Sequence, residues 1–305
     1  MSTPEEDRPD LLARVDELAA GAWVLAALAA ALHAEEGEIG EEHGAVLGAA
    51  GLAGRTAGGW RLHPAHRAAL DALPGHISWM LGQAADAAAR RPGGAEEDEA
   101  ELIADGEASG RAVDALLDRL ASLEPDLADR LRRPGLRFLD VGTGTGAVAA
   151  AVVARSPRAR AVGLDIDPRL LRLAEGRLAA RGVRERVELR RQDVADLAEA
   201  DAYDLVWLPL TVLTPVAARR ALPRVRAALR PGGWVLATSA PRGRGLGTGG
   251  ELGEAVTRWR LARAGVTPWG PDELAGHLAA VGLAEVREIR MPPPATAVVA
   301  ARRPR

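Results

Sequence analysis

Residues 136–150 read LRFLDVGTGTGAVAA, and the fold of the chain turns on how they are read. Leu136 to Val141 is a short apolar run suited to a buried strand. Gly142, Gly144 and Gly146 then alternate with Thr143 and Thr145 before an Ala/Val-rich helix begins. Glycine lets the backbone take positive φ and lets a ligand approach closely, and the first N–H groups of a helix point outward without intrahelical partners. A strand, a tight glycine turn and a helix N-terminus together predict a nucleotide-like occupant. Gly142, Gly144 and Ala147 also satisfy the G-x-G-x-x-G/A dinucleotide fingerprint, so this stretch leaves the cofactor open.

Composition narrows the class. With 305 residues, 48% of them apolar and 27% charged, the chain can bury one large or two ordinary globular domains. It has no cysteine, which excludes disulfides, thiolate metal sites and a cysteine nucleophile. Of the six histidines only His63 and His66 lie near each other, with no third ligand beside them, so no metal site is expected. Residues 1–134 carry 12 Arg against 25 acids and residues 135–305 carry 27 Arg against 17, giving halves of −13 and +10. The first ten residues, MSTPEEDRPD, are acidic, the reverse of the basic start of a signal peptide. Leu18 to Leu32, about 15 residues, falls short of the ~20 needed to cross a bilayer. The expectation is a buried helix in a cytoplasmic protein with no membrane partner.

Within residues 1–133, Leu11 to Leu32 is apolar on most faces after Leu18, which suits burial between helices or at a subunit interface. A short helix over Ala45 to Ala53 is followed by two short strands, around Leu52–Thr56 and Trp60–Leu62, joined by a Gly-Gly turn. Helices followed by a small hairpin resemble a winged helix. A domain of charge −13 would repel a phosphate backbone, so no nucleic-acid partner is expected. His66 to Ala89 reads as a helix that groups His76, Trp79 and Met80. These residues are either core or part of a small-molecule pocket. After the breaker Arg90–Glu99, helices around Ala100–Leu120 and Pro125–Leu131 lead to Pro134, where the domain boundary is expected.

From 134 to 305 strand and helix alternate. Strands are predicted at Ala161–Asp165, Val187–Gln192, Tyr203–Leu208, Trp234–Ser239, Val286–Arg290 and Ala295–Ala300, the last two forming a hairpin. The fold class is therefore α/β: a Rossmann-like, seven-stranded, mostly parallel sheet with helices on both faces, preceded by a mainly helical domain. Such sheets bind ligands beyond the carboxyl ends of their strands. Asp165 and Asp193 stand at two of those ends.

Taken together, Asp140-x-Gly142-x-Gly144-x-Gly146, Gly163-Leu164-Asp165, Asp193, Tyr203-Asp204-Leu205-Val206 and Leu229-Arg-Pro-Gly-Gly233 resemble a class I S-adenosylmethionine-dependent methyltransferase. The N-terminal part resembles the winged-helix-like dimerisation domain that precedes the catalytic domain of many small-molecule O-methyltransferases. The resemblance implies a homodimer that uses S-adenosylmethionine to methylate a small molecule at O or N, such as a secondary metabolite. The alternatives are a non-methylating enzyme of the same fold, an NAD-linked oxidoreductase or a non-catalytic binding protein.

By motif, the resemblance places Asp140 near the amino end of the methionine moiety. Gly142, Thr143, Gly144 and Gly146 lie along the cofactor, Asp165 at the ribose and Asp193 at the adenine amino group. Ile166 and Val194 pack on the adenine faces, and Leu208 also belongs to the cofactor side. Asp167, beside Pro168, reads as a helix N-cap. Trp79, Met80, Trp207, Thr211 and Trp259 are candidates for the acceptor pocket, Trp259 and Trp269 being equally suited to the core. Many relatives carry a histidine base shortly after strand four, where this chain reads WLPLTVLTP over 207–215. His76 is then the best-placed base by sequence context. Pro241 to Gly250 is either a connector or a lid.

Overall fold

The computed structural model describes residues 11–33, 39–64, 74–91, 99–123, 125–156, 158–239, 251–266, 269–289 and 297–305. They fall into two compact units, Met1–Arg91 and Pro92–Arg305. The division lies some forty residues before the expected boundary at Pro134. The two helices ahead of the glycine turn pack into the sheet's core and belong with it.

The first unit contains α1 (Leu11–His33), α2 (Glu41–Ala49), the strands β1 (Ala53–Thr56) and β2 (Gly59–Leu62), and α3 (Pro74–Ala88). β1 and β2 form an antiparallel hairpin with Thr56 opposite Gly59, whose φ of 111° needs glycine. Trp60 crosses from the hairpin onto α2. A Cβ at Gly44 or Gly48 would stand 2.0 and 2.4 Å from its ring, so this i, i+4 glycine pair makes the slot that seats it. The core is small, formed by Leu28, Ala31, Ile39, Leu47, Leu62 and Ile77 with a few alanines. It corrects the expectation for α1. Burial begins only near Ala27, while Leu11, Leu12, Val15, Leu18 and Trp23 stay exposed, Trp23 at 74%. The helix runs 23 residues and is, by length and composition, long enough to span a bilayer, so the shortness inferred from Leu18–Leu32 does not hold.

The second unit opens with α4 (Glu99–Leu123) and α5 (Pro125–Arg132). It continues as β3 (Arg137–Val141), α6 (Ala147–Arg155), β4 (Arg160–Asp165), α7 (Pro168–Ala180), β5 (Val187–Arg191), β6 (Tyr203–Pro209) and α8 (Pro215–Ala228). It ends with β7 (Leu229–Thr238), α9 (Glu251–Arg263), α10 (Pro271–Ala280), β8 (Ala284–Ile289) and β9 (Val298–Arg302). The sheet order is β5-β4-β3-β6-β7-β9-β8, with β9 antiparallel to both neighbours and the other pairs parallel. Strand periodicity divides the core. Phe138, Leu205, Trp234 and Leu236 join Leu116, Leu120 and Val152 on one face. Leu139, Val206, Leu208 and Val235 join Leu222, Leu274 and Trp269 on the other.

Leu229–Gly233, the last of the motifs that carry the resemblance, lies inside β7. Tyr203 pairs with Leu229 and Leu205 with Trp234, with an irregularity between them. Gly232 takes φ 75° there, and a Cβ at Gly233 would stand 2.9 Å from the Arg230 carbonyl. The backbone bends too sharply for a side chain at either position.

Candidate active site

The three loop glycines do different work. β3 ends at Val141, and Gly142, Gly144 and Gly146 all take left-handed φ, at 64°, 54° and 78°. A Cβ at Gly142 would stand 2.8 Å from Val212 Cγ2 and one at Gly146 3.2 Å from Leu178, whereas the space at Gly144 is open. Gly142 and Gly144 border a cavity of about 700 Å³ beyond the strand ends. Gly146 does not border it, because it packs on α7 as the N-cap of α6. Thr143 lines the cavity and sits against Gly163 of β4, where a Cβ would fall 2.7 Å from its Oγ1.

Asp140 has turned inward. Its Oδ2 accepts from Thr143 Oγ1 at 2.8 Å and from Ala149 N at 3.1 Å, closing the loop and capping an N-terminal amide of α6 that Gly146, lacking a side chain, cannot reach. It is 1% exposed and does not border the cavity. Burial, aided by the charge of Asp165, pushes its carboxyl up to about 7 against the two hydrogen bonds that favour the anion. Its Oδ1 is buried without a partner.

Asp165 ends β4, Asp193 lies two residues past the end of the adjacent strand β5, and both line the cavity. Asp165 accepts from Gly144 N and Asp167 N, each at 2.9 Å, which ties the glycine loop to β4. Asp193 accepts from Ala195 N at 2.8 Å. Carboxylate oxygens keep a second acceptor lone pair, so both acids can still receive ligand donors. Ile166, 68% exposed, and buried Val194 supply apolar surface beside them. Asp167 caps α7 by accepting from Arg169 N at 2.7 Å, as its place before Pro168 suggested. Two acids for hydroxyl and amino donors, apolar flanks and a glycine cradle fit an adenosine-containing cofactor.

Trp207, Thr211, Val212, Thr214 and Thr238 line the side of the cavity beneath β6 and β7. Leu208, expected on the cofactor side, is fully buried in the second core cluster, since alternation along β6 turns it away while Trp207 faces the cavity. Trp259 on α9 is 57% exposed and does not border the cavity, and Trp269 is core. Trp79 and Met80 are half-buried on α3 of the first unit. The side chain of His76 and the loop Pro241–Gly250 lie outside the described residues. Among the described residues no group of three histidines or acids could hold a metal.

The motif reading missed α4. Leu102, Asp105, Gly106, Ser109, Val113 and Leu116 form one helical stripe along the cavity. Their i, i+3, i+4 spacing was visible, as was the Gly106/Gly110 pair that thins the helix. Which side of α4 meets the sheet was not.

The sheet order and this site define a class I S-adenosylmethionine-dependent methyltransferase domain, and its cofactor is S-adenosylmethionine. Residues 138–233 match the family model described as a methyltransferase domain. The chain is 32% identical over 177 residues to the release factor glutamine methyltransferase of Cereibacter sphaeroides, a match covering 50% of this chain and 62% of that one. It thus spans less than two thirds of that relative's length. An O-methyltransferase family protein from Burkholderia thailandensis shares the fold over 96% of this chain and 98% of its own, with a TM-score of 0.71 at 16% identity. The mitomycin 7-O-methyltransferase MmcR does so over 96% and 98%, with a TM-score of 0.66 at 17% identity.

Proposed function

We propose that the protein transfers the methyl group of S-adenosylmethionine to oxygen or nitrogen of a small molecule, such as a secondary metabolite. The observation that carries this reading is the cavity: acids at the ends of β4 and β5 suited to a nucleoside, continuous with a mostly apolar pocket walled by Trp207, Val212, Val113 and Leu116. Bound S-adenosylmethionine supplies a methyl group already activated on a positively charged sulfur. The protein's share is to orient the acceptor, exclude water and leave a route for the acceptor's proton. Thr211, Thr214 and Ser109 line the pocket and carry hydroxyls that can accept from a donor on the acceptor molecule, the Thr214 oxygen also capping α8 by accepting from Ala217 N. Likeness to O-methyltransferases in fold supports a small-molecule acceptor.

The first unit would serve as a winged-helix-like dimerisation domain. Support comes from the hairpin docked on α2 and from the exposed apolar residues of α1. Mass spectrometry of the purified protein for carried-over S-adenosylhomocysteine tests the cofactor. Screening acceptors with methyl-labelled cofactor then tests transfer; product formed without release of S-adenosylhomocysteine would overturn it.

A further inference from the structure

Where β6 and β7 end, three cross-strand neighbours stand side by side. Pro209 pairs with Thr238 and Thr238 with Val298, and all three border the cavity. Thr238 follows Trp234 and Leu236 at the strand period. It therefore stands on the sheet face that α4 covers, where Val113, Leu116, Val298 and Trp207 belong to one apolar cluster. Asp165 borders a different part of the cavity, because β7 lies three strands from β4 in the sheet order, a separation of roughly 14 Å at about 4.8 Å per strand.

Thr238 carries the only side-chain hydroxyl among the described residues of β6, β7 and β9 that border the cavity. The residue is 5% exposed, and its Oγ1 is buried with no hydrogen-bond partner among the described residues. A hydroxyl in that state is costly, and valine would fill the same space on a strand without the cost. One step of χ1 exchanges the hydroxyl with the methyl, so a polar group arriving at this wall can draw the oxygen toward it. Threonine at this position thus points to a partner that comes from outside the chain.

Charge narrows what that partner is. The charged residues bordering the cavity are Asp105, Asp165 and Asp193, all acids. No arginine borders it among the described residues, although the chain carries 39. An anionic acceptor would meet like charge without a counter-ion.

We propose that Thr238 selects the acceptor. An uncharged, largely apolar compound lies between Trp207, Pro209 and Val298 on the sheet and Val113 and Leu116 on α4, and Thr238 Oγ1 makes the hydrogen bond that seats its polar group. The proposal deepens the methyl-transfer reading above and rests on it.

Calorimetry in the presence of S-adenosylhomocysteine tests it, with 2-naphthol, naphthalene and 2-naphthoate as probes. A hydrogen bond between neutral groups corresponds to about 2- to 10-fold in affinity. Wild type should bind 2-naphthol tighter than naphthalene by about that factor, and 2-naphthoate weakest of the three. Thr238→Val should bring 2-naphthol down to the level of naphthalene, leave naphthalene and S-adenosylhomocysteine as in wild type, and keep or raise the melting temperature of the protein alone. Thr238→Ser, which retains the hydroxyl, should keep the preference. The proposal is overturned if Thr238→Val still prefers 2-naphthol, if 2-naphthoate binds as tightly as 2-naphthol, or if Thr238→Val melts lower, since the hydroxyl would then have a partner inside the fold. It is also overturned if none of the three probes binds beside S-adenosylhomocysteine. Failure of S-adenosylhomocysteine itself to bind wild type would instead remove the methyl-transfer reading.

Discussion

Thr143 Oγ1 donates to Asp140 Oδ2 over 2.8 Å, so the second residue of the glycine loop is tied back to the strand it leaves. With Ala149 N on the same oxygen, Asp140 joins strand, loop and helix within ten residues of chain.

That junction carries a pH signature. The carboxyl of Asp140 titrates near 7 when folded and near its ordinary 3.8 when unfolded, so the native state binds its proton more tightly. Its contribution to stability is therefore full below about pH 4 and lost as pH rises through 7. Asp140→Asn keeps an acceptor for Ala149 N–H and cannot ionise. Urea denaturation at pH 5 and pH 8 should show wild type losing more stability between the two than the variant; equal losses would refute the assignment. Asp140→Ala should cost about 1–3 kcal/mol at pH 8, because the capping acceptor is gone, and more at pH 5, where wild type keeps the stability of the protonated carboxyl.

Gly106 is expected to be intolerant of even one methyl group. Gly106→Ala would drive a Cβ into Thr145 Oγ1, at a cost of roughly 1–3 kcal/mol as α4 shifts from the loop. Thr145→Ala removes the opposing hydroxyl, and the double variant should recover much of the loss. A double-mutant cycle in thermal unfolding reads this directly, and strict additivity would show that the two residues do not meet.

Asp165 ties the glycine loop to β4 and faces the cavity. Asp165→Ala should weaken S-adenosylhomocysteine by about 2–4 kcal/mol, through lost ribose hydrogen bonds and the orphaned Gly144 and Asp167 amides. Calorimetry giving wild-type affinity in this variant would remove Asp165 from the site.

The exposed apolar residues of α1 lead to an expectation about assembly. Arg14, Asp16 and Glu17 interrupt that surface within its first two turns, at a high cost in a bilayer but not at a protein interface, so the partner expected is a second copy of the chain. Light scattering should give a dimer at micromolar concentration, and Trp23→Glu a monomer. A monomeric wild type that floats with lipid vesicles would point to a membrane instead.

The residues of 134–305 by themselves determined the alternation of strand and helix, the place of the glycine turn and the acids at the ends of β4 and β5. Each of these depends on contacts a few residues apart: strand period, left-handed turns, helix caps. Tertiary packing decided the rest. Asp140 and Asp165 look alike as acids at strand ends, yet one is sealed under its own loop and the other faces the cavity. Leu208 and Trp207 are chain neighbours, and the orientation of β6 alone sends one to the core and the other to the cavity. The same run of alanine and leucine in α1 serves equally for a buried helix and an uncovered one, because the sequence does not state what lies opposite. The part of α4 was likewise invisible, since a helix stripe acquires a role only when a distant segment, here the loop at Thr145, packs against it.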